Sequence, residues 1–134
     1  GRYYGKELKM APMFFSANVV IPVPLHPKKL KRRGYNQSEA FAQGIAESME
    51  VENPVNVLIR THASETQTKK SRFARWKNVE DIFKITSPEK IEGKHILLVD
   101  DVVTTGSTLE ACANKILEVP DTKVSIATIA SAMY

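Results

Sequence analysis

Apolar residues recur along the chain with two different periods, and the alternation between them outlines its elements. VVIPV (Val19 to Val23) is a short β-branched run cut off by Pro22 and Pro24, which predicts a strand running into a loop. After Asn36, a plausible helix cap, Phe41, Ile45 and Met49 recur every four residues with Ala42 and Ala46 beside them, predicting a helix that ends near Glu50. NVLIR (Asn56 to Arg60) reads as another strand, THASETQTKKSRFARWKN (61–78) as a long polar stretch, and EDIFKI as a weak alternation. HILLV (His95 to Val99) is a continuous apolar run after a Gly93 turn, the pattern of a central parallel strand covered on both faces. Leu109, Cys112, Ala113, Ile116 and Leu117 trace one helical stripe, and VSIATIA closes the chain as a last strand. Strands separated by helices imply an α/β fold with a mainly parallel central sheet flanked by helices. No repeat or low-complexity tract interrupts this order.

Composition trims the alternatives. At 134 residues and 43% hydrophobic, the chain has material for one core, and residues 1–134 read as one domain. It starts on Gly1, and residues 1–18 are read as the remainder of an N-terminal helix of a longer protein. A single cysteine, Cys112, rules out an internal disulfide framework or a zinc ribbon and suits a reducing, cytoplasmic setting. No apolar run approaches the roughly 20 residues needed to span a bilayer, so no membrane association is expected. Net charge is +4, but KKLKRR (Lys28 to Arg33) alone carries five cations, which leaves −1 for the rest. A second cluster, Lys69, Lys70, Arg72, Arg75 and Lys77, surrounds Phe73 and Trp76. Read as two basic loops, these segments could grip an anionic small molecule or a phosphate backbone, or be solvated surface.

Candidate chemistry concentrates where the apolar run HILLV gives out. In open parallel sheets, ligands sit beyond the carboxyl ends of the strands. Asp100 and Asp101 are expected to leave the strand there, followed by Thr104, Thr105, Gly106, Ser107 and Thr108 in a turn entering a helix. Unpaired N–H groups and the positive end of the helix dipole attract phosphate, Gly106 lets backbone come close, and hydroxyls add donors. A carboxylate is a pure acceptor and suits the donating hydroxyls of a sugar. One ligand that satisfies both is a ribose 5-phosphate. No Gly-Lys-Ser/Thr ending or G-x-G-x-x-G is present, which argues against a nucleoside triphosphatase loop and a dinucleotide fold. Only 33 residues follow Asp101, too few for the rest of a phospho-receiver sheet. A plain strand, turn and capped helix is the bland alternative.

Taken together, HILLVDDVVTTGST resembles the phosphoribosyl pyrophosphate (PRPP) signature of the type I phosphoribosyltransferases. VPLHPKKLKRRGYNQSEAFAQGIA is similar to the competence protein F branch, relatives of the glutamine PRPP amidotransferase, with Pro24, Arg33, Gly34, Asn36 and Gln37 on the recurrent positions. Longer members of that branch open with a cysteine-rich zinc-binding segment, which these residues do not contain. The resemblance implies a type I phosphoribosyltransferase-like fold with a flexible lid loop. It also implies transfer of ribose 5-phosphate from PRPP to a nitrogen acceptor, unknown from sequence, with release of pyrophosphate. Asp100 and Asp101 would hold the ribose hydroxyls, Thr104, Thr105, Gly106, Ser107 and Thr108 the 5-phosphate, and Leu25, His26, Arg33, Asn36 and Gln37 the pyrophosphate. Mg²⁺ is the implied cofactor, carried by PRPP rather than by a protein ligand set, with Asp100 the carboxylate nearest to it.

Breaking the bond from ribose C1 to pyrophosphate separates charge, so cations on the leaving group and carboxylates on the sugar side favour it. Arg75 and Lys70 are the catalytic candidates in the stretch Thr61 to Asn78, a candidate lid whose closure would exclude water. That stretch keeps Gln67, Arg75 and Asn78 of the branch's pattern but has Lys70 where an apolar residue is usual. Two other functions stay open. One is a PRPP- or nucleotide-binding accessory protein without turnover, serving DNA uptake. The other is a DNA-binding protein, with weak contact through Lys28 to Arg33. His62 and His95 are scattered without metal-ligand spacing, Cys112 on the apolar stripe reads as a packed thiol, and oligomerisation is left open.

Overall fold

The computed structural model describes residues 1–61 and 82–132. Strand β1 (Val19–Pro22), strand β4 (His95–Val103) and strand β5 (Lys123–Ser131) form a parallel sheet in the order β1-β4-β5. β4 lies in the middle, in register with β1 from Val19 opposite Ile96 to Pro22 opposite Val99. On its other side β4 pairs with β5 from His95 opposite Lys123 to Val103 opposite Ser131. A lone parallel bridge, Val19 to Glu52, marks the far side of β1. Ile96, Leu97, Leu98 and Val99 are 0% exposed, as a strand sandwiched on both faces must be. Each such side chain contributes about 1.5–3 kcal/mol by leaving water.

Side chains alternate across a strand, so the two faces collect different cores. Val19, Ile21, Ile96 and Leu98 pack with Leu109, Ala111, Cys112 and Ile116 of helix α4 (Ser107–Leu117). The same cluster takes in Leu58 of strand β2 (Leu58–Arg60) and Phe83 of strand β3 (Phe83–Ile85), which form a separate antiparallel pair. On the opposite face Val20, Leu97 and Val99 meet Phe41, Ala42, Ile45, Ala46 and Met49 of helix α3 (Gln37–Met49), with Leu8 of helix α1 (Arg2–Met10). The result is helix, sheet and helix in three layers, the α/β architecture read from the periodicity.

Three local expectations need correction. KKLKRR is not a loop: helix α2 spans Pro27–Arg33, started by proline at its first turn and by the His26 ring, whose Nδ1 accepts the Lys28 N–H at 3.1 Å. α2 has no buried residue, so its apolar pattern could not announce it. β4 does not stop at Val99 but continues through both aspartates to Val103, because β5 keeps supplying a ladder, Asp100 opposite Thr128 and Val102 opposite Ala130. Leu117 is 53% exposed and off the α4 stripe, its place taken by Ala111. Helix α1 covers Arg2–Met10 and packs on α3. The lid stretch, from position 62 onward, lies outside the described residues, together with Lys70 and Arg75.

Candidate functional site

The carboxyl ends of β1 and β4 lie side by side, pinned by the Val23 N–H donating to the Val99 carbonyl at 2.8 Å. From β4 the chain passes Asp100 and Asp101, both half-buried, into the turn Thr104 to Gly106 and then into α4. Gly106 caps that helix in the left-handed region (φ 82°), where a side chain is costly. Ser107 N–H makes a long bond of 3.4 Å to Thr105 Oγ1, and the hydroxyls of Thr105 and Ser107 lie 3.1 Å apart. Among the described residues, the backbone N–H groups of Gly106, Thr108 and Leu109 end on no protein acceptor. Such a set of free donors at the positive end of an 11-residue helix favours an anion.

Asp100 shares a cavity with this turn. Asp100, Val102, Val103 and the whole run from Thr104 to Leu109 line one small cavity of about 50 Å³. Asp101 is not part of that lining; its Oδ1 accepts the Val102 N–H at 2.8 Å. Successive strand residues start toward opposite faces, yet at this strand end the Asp101 side chain still comes within hydrogen-bonding reach of the Asp100 carboxyl. Asp100 Oδ1 accepts two hydrogen bonds, from the Ser38 hydroxyl at 2.8 Å and from the Asp101 N–H at 2.9 Å. Burial raises the Asp100 pKa above its ordinary value, the Ser38 and backbone hydrogen bonds oppose that rise, and the neighbouring Asp101 carboxyl adds to it.

The residues assigned from sequence to pyrophosphate are distributed differently. Asn36 is fixed twice: its Nδ2 donates to the Val23 carbonyl and its Oδ1 accepts the Ser38 N–H, both at 3.1 Å, so the expected capping role holds. Arg33 Nη1 donates to Gln37 Oε1 at 2.8 Å, joining the end of α2 to the start of α3 on the exposed surface. Leu25 and Asn36 line a second, roomier cleft of about 250 Å³ between the loop after β1, α2 and β2, which shares no residue with the Asp100 cavity. Its volume exceeds that of the aspartate cavity, and its walls are mainly prolines and aliphatic side chains with Glu39 and Arg60 among them, whereas the smaller cavity is lined by Asp100 and the hydroxyl-rich turn at the start of α4.

Sequence reasoning missed two residues. Ser38 is buried against Asp100, yet a serine two positions past a helix cap carries no signal of that. Arg60, whose Nε is buried without a hydrogen-bond partner among the described residues, stacks its guanidinium 5.7 Å from the Phe83 ring and lines the roomier cleft. Among the described residues no group of three or more histidine, cysteine or acidic side chains is arranged to hold a metal ion.

A parallel sheet whose central strand carries two aspartates near its carboxyl end, followed by a hydroxyl-rich turn into a helix, defines an α/β class that the comparisons narrow. The family model "Phosphoribosyl transferase domain" matches residues 35–133, and the chain belongs to that family. It is 36% identical over 91 residues to competence protein F of Haemophilus influenzae (67% of this chain, 40% of the relative). It is 35% identical over 98 residues to the DNA utilization protein YhgH of Escherichia coli K12 (73% and 42%). The chain thus matches about two-fifths of the length of these relatives. Among solved structures, the glutamine PRPP amidotransferase of B. subtilis, complexed with ADP and GMP, superposes with a TM-score of 0.66 at 22% identity, covering 96% of this chain and 25% of that one. Adenine phosphoribosyltransferase of Saccharomyces cerevisiae gives 0.61 at 12% identity, covering 96% and 64%. At these identities the superpositions establish the fold, that of the type I phosphoribosyltransferases.

Proposed function

We propose that this chain binds PRPP with Mg²⁺ and transfers its ribose 5-phosphate to a nitrogen acceptor, releasing pyrophosphate. The observation that carries this reading is the shared cavity: Asp100 and the turn Thr104 to Thr108 line the same space. In that arrangement the free N–H groups and hydroxyls of the turn take the 5-phosphate, and the Asp100 carboxylate accepts from the ribose hydroxyls. Asp101, turned toward its own backbone, contributes negative charge beside the sugar as positive charge grows there. A pair of acids without a third ligand beside it among the described residues fits a Mg²⁺ carried by PRPP rather than held by the protein; Asp100 would be the carboxylate to help hold it, and the ion would supply charge neutralisation for the pyrophosphate. Family membership supports the reaction class.

Calorimetric titration with PRPP and Mg²⁺ tests the reading. Asp100→Asn with Asp101→Asn is expected to weaken binding at least about tenfold, since each lost charge-assisted hydrogen bond is worth about 1.5–3 kcal/mol, while the melting profile stays cooperative. Unchanged affinity in the double variant refutes the assignment. A screen of bases and ammonia for pyrophosphate release then identifies the acceptor.

A second reading draws on a different observation. α2 presents Lys28, Lys29, Lys31, Arg32 and Arg33, all exposed, and the relatives carry the names competence protein and DNA utilization protein. A PRPP-binding accessory protein of DNA uptake that touches DNA through α2 accounts for both. Its DNA affinity is expected to fall steeply with salt and to drop when these cations become alanine, whereas pyrophosphate release stays absent with every acceptor.

A further inference from the structure

Ser38 and His95 are the buried polar residues among those described, and Ser38 is 4% exposed. A buried hydroxyl needs a partner, and a serine in a helix normally finds it in its own preceding turn or in water. Ser38 instead donates across to Asp100 Oδ1 on β4, 62 residues away in sequence. The hydroxyl is the last step of a connected path. The Val23 carbonyl holds Asn36 Nδ2, Asn36 Oδ1 holds the Ser38 N–H, and Ser38 Oγ holds Asp100. Val23 also bonds β4 directly through the Val99 carbonyl. One turn of α3 therefore ties the segment after β1 to the carboxylate beside the Thr104 to Thr108 turn.

The two donors to Asp100 both end on Oδ1, and Oδ2 takes no donor among the described residues. We propose that Ser38 is a positioning residue: together with the Asp101 N–H it holds Oδ1 of Asp100 and so presents Oδ2 to the ribose hydroxyls of the bound PRPP. The proposal rests on the PRPP reading above for its ligand but not for its geometry. Without the Ser38 hydroxyl the half-buried carboxylate keeps only a bond to the next residue's own backbone, which constrains its rotation less than a partner on a separate helix. Preorganised acceptors bind a ligand more tightly because the ordering is done before the ligand arrives.

Two measurements on Ser38→Ala and Ser38→Thr test this. The first is the affinity for PRPP with Mg²⁺, expected to fall about tenfold in Ser38→Ala and to return close to the parent value in Ser38→Thr, which keeps the hydroxyl. The second needs no ligand: the side-chain rotamer populations of Asp100 from three-bond NMR couplings, expected to be single in the parent and averaged in Ser38→Ala. A serine that only stabilises the fold would lower the melting temperature of Ser38→Ala and leave the Asp100 rotamer single, and that result overturns the proposal. Parent-like PRPP affinity in Ser38→Ala overturns it as well. Should the parent chain bind no PRPP, the reading of the ligand fails, and the rotamer populations alone decide: averaging in Ser38→Ala sustains the positioning role, and an unchanged rotamer ends it.

Discussion

Cys112 shows how a single side chain's chemistry follows from where it is placed. It is fully buried on α4, and burial first, then the nearby Asp100 charge, pushes its thiol up to about 12, with Arg60 acting weakly the other way. A thiol so far from ionising is a poor nucleophile. The native protein is expected to resist iodoacetamide at about pH 8 and to react fully once denatured, which mass spectrometry reads directly; rapid labelling of the folded chain contradicts the placement. The sequence had pointed the same way, since an apolar neighbour at each helical repeat is visible without coordinates. Asp100 is the opposite case. Two adjacent acids at the end of an apolar run mark a candidate site, but nothing in the letters tells which of them shares a cavity with the turn, because that depends on how β4 ends.

Packing between α1 and α3 depends on backbones coming closer than side chains allow. A Cβ on Gly5 would lie 2.8 Å from Ser48 Cβ and 2.9 Å from the Ile45 Cα, and one on Gly44 would lie 2.9 Å from the Arg2 N. The two helices meet through bare glycine faces, with the exposed pairs Arg2–Glu47 and Lys9–Glu50 at the margins. Surface pairs of this kind are each worth about 0–1 kcal/mol, so close packing supplies the holding force. Gly5→Ala is expected to cost roughly 1–3 kcal/mol in urea unfolding, and a variant as stable as the parent would show that α1 is not docked there. Polar GRYYGKELKM hides this helix from a reading of hydrophobic period, as cationic α2 is hidden: α1 buries Gly5 and Leu8, and α2 buries nothing. By contrast α3, α4 and β4 bury continuous stripes or runs and were legible.

Stability of the assembled sheet carries its own pH signature. His95 opens β4 with its ring between Ser16 Oγ at 2.8 Å and Ser125 Oγ at 2.7 Å, so one imidazole ties the segment before β1 to β5. Burial, then the charge of Lys123, lowers its pKa below the ordinary 6.5. Below that value the unfolded chain binds a proton that the folded chain still refuses, so stability is fully present above about pH 6.5 and is lost as pH falls toward the folded pKa. Melting temperature is therefore expected to drop between about pH 7.5 and about pH 5.5, and to drop less in His95→Gln, compared by calorimetry within each variant. An equal drop in both would place the acid-sensitive group elsewhere.

Period, turn chemistry and charge order are local properties, and they were enough to define an α/β chain, a central strand at His95 and a candidate site marked by aspartates and a hydroxyl-rich turn. They read directly because burial on one face or two must be written as a repeat in the chain that is buried. Which aspartate shares a cavity with the turn, that Ser38 reaches across 62 residues to hold it, and that KKLKRR winds into a helix are all absent from that record. The first two depend on how strands and helices of distant sequence are set against each other in space. The third depends on a proline start and a histidine cap on a helix whose every face meets water, so no buried stripe was required to form it.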